Sequence, residues 1–378
     1  MKRPPRLTVG YLNPVGVMGG AETSLLILLA HLDREAVRPV LFCPPGELAD
    51  RAAALDVDIR PWPLVRLRRH PPGACAAGLL GLARASAALL RHGADCHVLH
   101  ANATAAALAA MPWRAIHRRP LIWHVRDLRL PRGAGRLLAT GVDTALAISR
   151  AVADELRAAG FPASRLTALP NGLDPDTVRP NRSRQAVRAA LGIAPEAPLA
   201  LAVGQLVPWK GQDVLLQAFA RIAAPEARLL VAGADLFGEH PAYAQRLAAL
   251  ADPRVRLLGP RADVPDLLGA ADLLVLPSLG EPFGRVVLEA MAAALPVLAT
   301  DAGGPRDIVV PGHTGWLVPP GDVPALAEAL AAALALGADH RRQMGENGRR
   351  RLVVRYSPAG QAWRLAGVYA RLSAGERA

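Results

Sequence analysis

The sequence predicts an α/β protein built from two Rossmann-like domains that face each other across a cleft. Three observations carry that expectation. Strand-length apolar runs alternate with helical patterns, the alternation is interrupted by a turn-rich segment and then restarts, and 378 residues are enough for two cores of ordinary size. In the first half, strands are expected over 7–12, 39–43, 97–100, 121–125 and 144–148, and helices over 21–32, 48–55, 79–90, 104–111 and 151–159. Strands joined through helices run parallel, so the first half reads as a parallel sheet covered by helices. Pro170-Asn171-Gly172-Leu173-Asp174-Pro175 reads as the linker. Strands then recur over 199–203, 228–232, 255–258, 273–276 and 297–299, with helices between them. The expected domains are 1–170 and 171–355. A final segment, 356–378, holds an amphipathic helix over 358–372 with Trp363, Val368, Tyr369 and Leu372 as its apolar face.

Hydrophobic residues make up 52% of the chain and aromatic ones 4%, so the cores are aliphatic. Three cysteines, Cys43, Cys75 and Cys96, show no Cys-x-x-Cys spacing; a disulfide framework and a zinc site are not expected, and a reducing cytoplasm is. The start of the chain carries no signal-peptide core, and the longest apolar windows are broken by Arg84 and Glu328, so no membrane-spanning helix is expected. The net charge of +12 is uneven: residues 1–170 carry 22 Lys/Arg against 12 Asp/Glu. That points to an anionic partner, either nucleic acid or an acidic membrane face. Nucleic acid is set aside because no binding module with stacking aromatics is present. The segment 61–70 interleaves Trp62, Leu64, Val65 and Leu67 with Arg66, Arg68 and Arg69, the pattern of an interfacial membrane segment. A chain with two lysines beside 42 arginines also offers biased composition as a source of its charge.

The most informative stretch runs from Ser278 to Gly304 and contains two carboxylates, Glu281 and Glu289. Pro282 suits a first helical position, which places Glu281 at the cap and leaves the N–H groups near Phe283, Gly284 and Arg285 as an anion site. Glu289 then lies eight residues on, roughly 12 Å along the axis. Paired glycosidase carboxylates sit only about 5–9.5 Å apart, so the two read as separate grips on one long ligand. The flanking apolar runs put this helix beyond the carboxyl end of a parallel strand, where open α/β sheets bind ligands. Gly19 and Gly20 follow the first strand and open the first helix, a place for a phosphate or merely a tight turn. Gly204, Gln205 and Lys210 follow the first strand of the second half, and a compact ammonium there suits a diphosphate. His100 and His124 each end a strand; His100 reads as structural, whereas His124, beside Arg126 and Asp127, reads as functional. The pairs Asp56/Asp58 and Asp174/Asp176 read as solvated turns, so no metal site is expected.

These motifs in this order resemble the retaining group one glycosyltransferases of GT-B fold, over nearly the full length. They are Gly19-Gly20-Ala21-Glu22, His124 with Asp127, 170–174, 204–211, Glu281-x7-Glu289, 301–305 and 314–322. The resemblance implies a nucleotide-diphosphate sugar as donor, held mainly by the second domain. It also implies no metal or other cofactor, an acceptor bound by the first domain, and a final helix that crosses back to that domain. It places Glu281 on the donor sugar, Glu289 on the ribose, Lys210 on the diphosphate with the amides of Phe283, Gly284 and Arg285 assisting, and His124 near the sugar and phosphate. Catalytic roles are thus expected for His124, Glu281 and Lys210, and donor contacts for Gly19, Gly20, Gly204 and Gln205. Many members have Arg where this chain has Gln205, with Arg285 and Arg306 as candidate substitutes; a second departure is Asp307, where Glu is commoner. The acceptor is a glycan, a lipid-linked precursor or a small molecule, and a non-catalytic nucleotide-sugar-binding protein is the alternative on the same scaffold.

Overall fold

The computed structural model describes residues 6–65, 72–128, 130, 133–236 and 238–375, the side chains of 72–76 excepted. The chain divides into two compact units, one ending at Gly172 and resuming at Pro358, the other spanning Leu173–Ser357. The arginines Arg66, Arg68 and Arg69 of the expected membrane segment lie outside the described residues.

The first unit is a seven-stranded parallel sheet: β1 (Leu7–Leu12), β2 (Val37–Cys43), β3 (Asp58–Pro61), β4 (Val98–Ala101), β5 (Leu121–Val125), β6 (Thr144–Ala147) and β7 (Leu166–Ala168). Helices α1 (Gly20–Ala30), α2 (Glu47–Ala53), α3 (Pro72–His92), α4 (Thr104–His117), α5 (Ala134–Gly141) and α6 (Arg150–Ala158) connect them. The spatial order β3-β2-β1-β4-β5-β6-β7 reverses between β1 and β4, and the carboxyl ends of those two strands mark the switch point. Helix α4 continues through Pro112, where the sequence suggested a stop. Buried Trp113, whose indole N–H donates to the Gly93 carbonyl at 3.1 Å, anchors the turn beyond the proline. Trp62 is likewise buried, donating to the Ala85 carbonyl at 2.9 Å, so it is a core residue and not a membrane anchor.

The second unit repeats the plan with β8 (Leu199–Val203), β9 (Arg228–Ala232), β10 (Val255–Gly259), β11 (Leu273–Leu276), β12 (Val297–Thr300) and β13 (Gly315–Val318), in the order β10-β9-β8-β11-β12-β13 and parallel throughout. Its helices are α7 (Arg184–Ala190), α8 (Gln212–Arg221), α9 (Pro241–Leu250), α10 (Val264–Ala270), α11 (Arg285–Ala292), α12 (Pro305–Ile308), α13 (Val323–Ala335) and α14 (Ala338–Arg355). Here the switch point lies between β8 and β11.

The last helix, α15 (Pro358–Ser373), belongs to the first unit. Ala362, Leu365, Val368, Tyr369 and Leu372 fall at helical spacing on one face and join the core cluster that contains Leu25 and Leu29 of α1. Trp363 was expected on that face but is 78% exposed, because a step of one residue from Ala362 turns the side chain about 100° around the axis. No single helix among the described residues is long and apolar enough to cross a membrane. Leu365→Ala should lower unfolding free energy by about 2–5 kcal/mol, whereas Trp363→Ser should change it by less than about 0.5 kcal/mol, measured by urea denaturation.

Candidate functional site

In the second unit the site grows from the carboxyl ends of β8 and β11. After β11 the chain does not enter a helix at Pro282. It bonds instead to the segment beyond β12: the Glu281 N–H donates to the Ala302 carbonyl at 3.1 Å, and the Gly304 N–H donates to the Glu281 carbonyl at 2.7 Å. Gly303 makes that approach feasible. Its φ is +91°, and a Cβ there would stand 2.1 Å from the Glu281 oxygen. Thr300 adds a hydroxyl bond to the Ser278 carbonyl. Helix α11 begins only at Arg285, after Gly284 in the left-handed region at φ +95°. Glu281 is therefore not a helix cap, Pro282 is not its first residue, and the helical spacing expected between the two carboxylates does not apply. The long-range backbone clamp outcompetes the local helix signal.

That clamp fixes Glu281 in a buried position, where one carboxylate oxygen accepts from Lys210 Nζ at 2.6 Å and from Ser278 Oγ at 3.1 Å. Lys210 ends the short turn Pro208–Lys210 after β8, and its ammonium also lies 4.4 Å from the Trp209 ring centroid. The two residues expected to grip different parts of a ligand thus compensate each other. Glu289 sits one turn into α11, half-buried and paired with Arg285 at 2.8 Å. Burial pushes its carboxyl up from the ordinary range, and Arg285 opposes that shift. Arg306 pairs with Asp301 at 2.5 Å. Phe283 is buried, its ring edge-on to Tyr356. A cavity of about 200 Å³ opens beside this site, lined by Gly204, Gln205, Ala234, Leu236, Arg261 and Val264. Leu236 and Arg261 belong to no motif and were not singled out in the sequence, and Ser278, although it opens the most informative stretch, was given no role there.

In the first unit the switch point is spanned by side chains. Asn102, past β4, donates to Asn13, past β1, at 2.8 Å; Asn13 donates to buried Glu22 of α1 at 3.1 Å. Arg126, just past β5, donates to Asn102 at 2.6 Å and to Asn171 at 2.7 Å. Gly19 and Gly20 lie where α1 opens, Gly19 in extended backbone 3.0 Å from Glu22 Oε2 at its Cβ position, and Gly20 with nothing within 4 Å of its own. His124 is wholly buried: His100 Nε2 lies 3.0 Å from its Nδ1, and its Nε2 has no hydrogen-bond partner. Asp127, the neighbour of Arg126, is exposed. Asp58 departs from the solvated turn expected for it: it lies in β3 and pairs with Arg38 at 3.3 Å and Arg60 at 3.2 Å. Asp174 does form a turn, accepting from the Asp176 N–H at 2.9 Å. Among the described residues no group of three His, Cys, Asp or Glu is placed to hold a metal ion.

Residues 183–351 match the family described as Glycosyl transferases group 1, and residues 18–177 match Glycosyltransferase Family 4. The group 1 match falls within the second unit and the family 4 match almost wholly within the first, so each unit resembles a glycosyltransferase domain. D-inositol 3-phosphate glycosyltransferase of Mycobacterium sp. strain KMS is 40% identical over 181 residues, 46% of this chain and 40% of that protein. The Mycobacterium tuberculosis (strain F11) protein of the same name is 37% identical over 189 residues, 48% and 38% of the two chains. These matches thus span about two fifths of the length of the curated relatives. Among solved structures, Anabaena HepE in complex with UDP and glucose aligns with a TM-score of 0.83 and 25% identity, covering 97% of this chain and all of that one. Sucrose-phosphate synthase from Thermosynechococcus elongatus aligns at 0.81 with 22% identity over 98% and 100%, a likeness of fold alone. The architecture is the GT-B fold, two Rossmann-like domains.

Burial lowers the pKa of both strand-end histidines, His100 to about 3, with the Arg126 charge as the second cause. Both are neutral when folded and take up a proton on unfolding once the pH falls below about 6.5. Stability is therefore intact above that value and is lost as the pH falls from about 6.5 towards 3, by roughly 1.4 kcal/mol per pH unit for each histidine. Urea denaturation between about pH 7 and pH 5 should show this slope, and His100→Gln should reduce it; an unchanged slope in that variant would contradict the assignment.

Proposed function

We propose that this protein is a glycosyltransferase that moves a sugar from a nucleoside-diphosphate sugar to an acceptor, with retention of anomeric configuration and without a metal ion. The observation that carries the reading is the buried Glu281–Lys210 pair at the switch point of the second unit, where α/β sheets bind ligands. The leaving group is a diphosphate, so the main task of such a site is to stabilise negative charge as the sugar departs. Lys210 supplies that positive charge at the β-phosphate, in place of a metal ion. Glu281, released from Lys210 by the incoming diphosphate, accepts hydrogen bonds from sugar hydroxyls. Glu289 accepts from the ribose with Arg285 beside it, and the cavity bounded by Leu236 and Arg261 takes the base. The UDP and glucose bound by HepE support this donor class. The inositol phosphate in the mycobacterial relatives' name, together with the positive charge of the first domain, supports an anionic acceptor. A phosphorylated or lipid-linked glycan precursor on an acidic membrane surface fits that description.

Incubating the full-length protein with radiolabelled UDP-, GDP- and ADP-sugars should release nucleoside diphosphate from at least one donor, at the same rate in excess EDTA as with added Mg²⁺. The product should keep the donor's anomeric configuration by NMR. Turnover restored only by metal, or an inverted product, would contradict the mechanism. Tight binding of a donor with no hydrolysis or transfer would leave a nucleotide-sugar-binding protein.

A further inference from the structure

The first unit carries a buried chain of hydrogen bonds that starts on the C-terminal helix and ends at an unsatisfied nitrogen. Tyr11 and Tyr369 hydroxyls are 2.9 Å apart, Tyr369 Oη is 2.8 Å from His100 Nδ1, and His100 Nε2 is 3.0 Å from His124 Nδ1. Arg126 Nη2 lies 3.4 Å from the same His124 Nδ1. We infer that Tyr369 and His100 are positioning residues that hold His124 as the neutral tautomer with its proton on Nε2, ready to donate to an oxygen of a bound sugar or phosphate. This inference rests on the proposed glycosyltransferase reading for its ligand, but not for its geometry.

The direction of the chain follows from Arg126. A guanidinium has donors only, and the other two contacts of Arg126 point its N–H groups at Asn102 and Asn171. A proton on His124 Nδ1 would face that cation, so Nδ1 presents its lone pair. His100 Nε2, approaching the same lone pair, must then bring the proton. A neutral imidazole carries one proton, so His100 Nδ1 is bare and accepts from the Tyr369 hydroxyl. A phenol hydroxyl can rotate to donate or accept, so with the Tyr369 proton committed to His100 the 2.9 Å contact between the two phenols takes its proton from Tyr11. Burial pushes both phenols up, which keeps them as O–H donors, and pushes both imidazoles down, which keeps them neutral. The proton left on His124 Nε2 is a buried donor with no partner, a costly arrangement that an acceptor oxygen relieves. A neutral N–H polarises such an oxygen without adding a charge to the site.

The test is long-range ¹H–¹⁵N NMR on full-length protein labelled at histidine, which identifies the protonated nitrogen of each ring. His124 should show the Nε2–H pattern, unchanged between about pH 8 and pH 5. Adding UDP and then UDP-glucose separates the two oxygens: a shift of the His124 Nε2–H signal with UDP assigns phosphate, and a shift with UDP-glucose alone assigns the sugar. Tyr369→Phe keeps the ring and removes only the hydroxyl. His100 is then free to carry its proton on Nδ1 and turn a bare Nε2 towards His124, so His124 should gain an Nδ1–H population against the opposing Arg126 charge. The kcat for UDP-glucose turnover should fall roughly 3- to 10-fold with UDP affinity unchanged. His100→Gln, which still offers an N–H to His124, should retain more turnover than His100→Leu. Wild-type His124 protonated on Nδ1, or Tyr369→Phe with wild-type tautomer, would overturn the inference. A protein that turns over no nucleotide sugar yet shows the Nε2–H pattern and its change in Tyr369→Phe would remove the enzymatic reading and leave the tautomer lock standing.

Discussion

A lysine and a glutamate 2.6 Å apart, with side chains 15% and 8% exposed, set the terms for the second unit. Neither charge is tolerable there alone: removing one partner of a buried pair typically costs about 3–5 kcal/mol because the other is stranded. The surrounding backbone is organised around that constraint. The turn after β8 delivers Lys210, the clamp between 281 and 302–304 delivers Glu281, and Ser278 occupies a further lone pair of the same carboxylate oxygen. A buried ion pair is poor at stabilising a fold but well suited to exchange. A second anion placed beside Lys210 would free Glu281 for hydroxyl donors at little net electrostatic cost.

The first unit answers a different need. Its switch point is held by neutral and singly charged polar groups whose hydrogen bonds close on one another, from Glu22 through Asn13 and Asn102 to Arg126. Arg126 acts as the polarity-setting end, since it donates in every contact it makes. The C-terminal helix supplies the opposite end through Tyr369, whose hydroxyl lies 2.8 Å from His100 Nδ1 although the two residues are distant in sequence. The apolar face around Leu365 and Leu372 holds Tyr369 in place by ordinary core packing.

The sequence made the long aliphatic strands plain: β1, β5, β8, β9 and β11 occupy the expected residues, because buried parallel strands are continuous apolar runs. Strands β3, β7 and β13 and helix α5 were missed. The three strands lie at sheet edges and have only three or four residues each, too short for a strand-length apolar run to stand out, even in β13 with its Trp316, Leu317 and Val318. Glu281 and Lys210 were legible as candidates from their place after strands and His124 from its place near the end of β5, but the pairing of Glu281 with Lys210 and of His124 with His100 was not. Glu-Pro reads locally as a cap, and only the contact with residues 302–304, some twenty positions away, overrides it. Trp62 and Trp363 exchanged their expected environments for the same reason: burial depends on what the rest of the chain presents. His100 looked merely structural and is structural in its burial, yet its contact with His124 gives it a part that no local pattern carries.

The exchange of partners at Lys210 is tested most directly by isothermal titration calorimetry of UDP against wild-type protein and Glu281→Gln. The variant frees the ammonium from its carboxylate while keeping the side chain's shape and hydrogen-bonding capacity. UDP should therefore bind it as tightly as wild type or more tightly, with Lys210→Met binding about tenfold more weakly or worse as the counterpart. UDP affinity that falls in Glu281→Gln as far as it falls in Lys210→Met would mean the two residues act as one rigid unit, and the exchange would not occur.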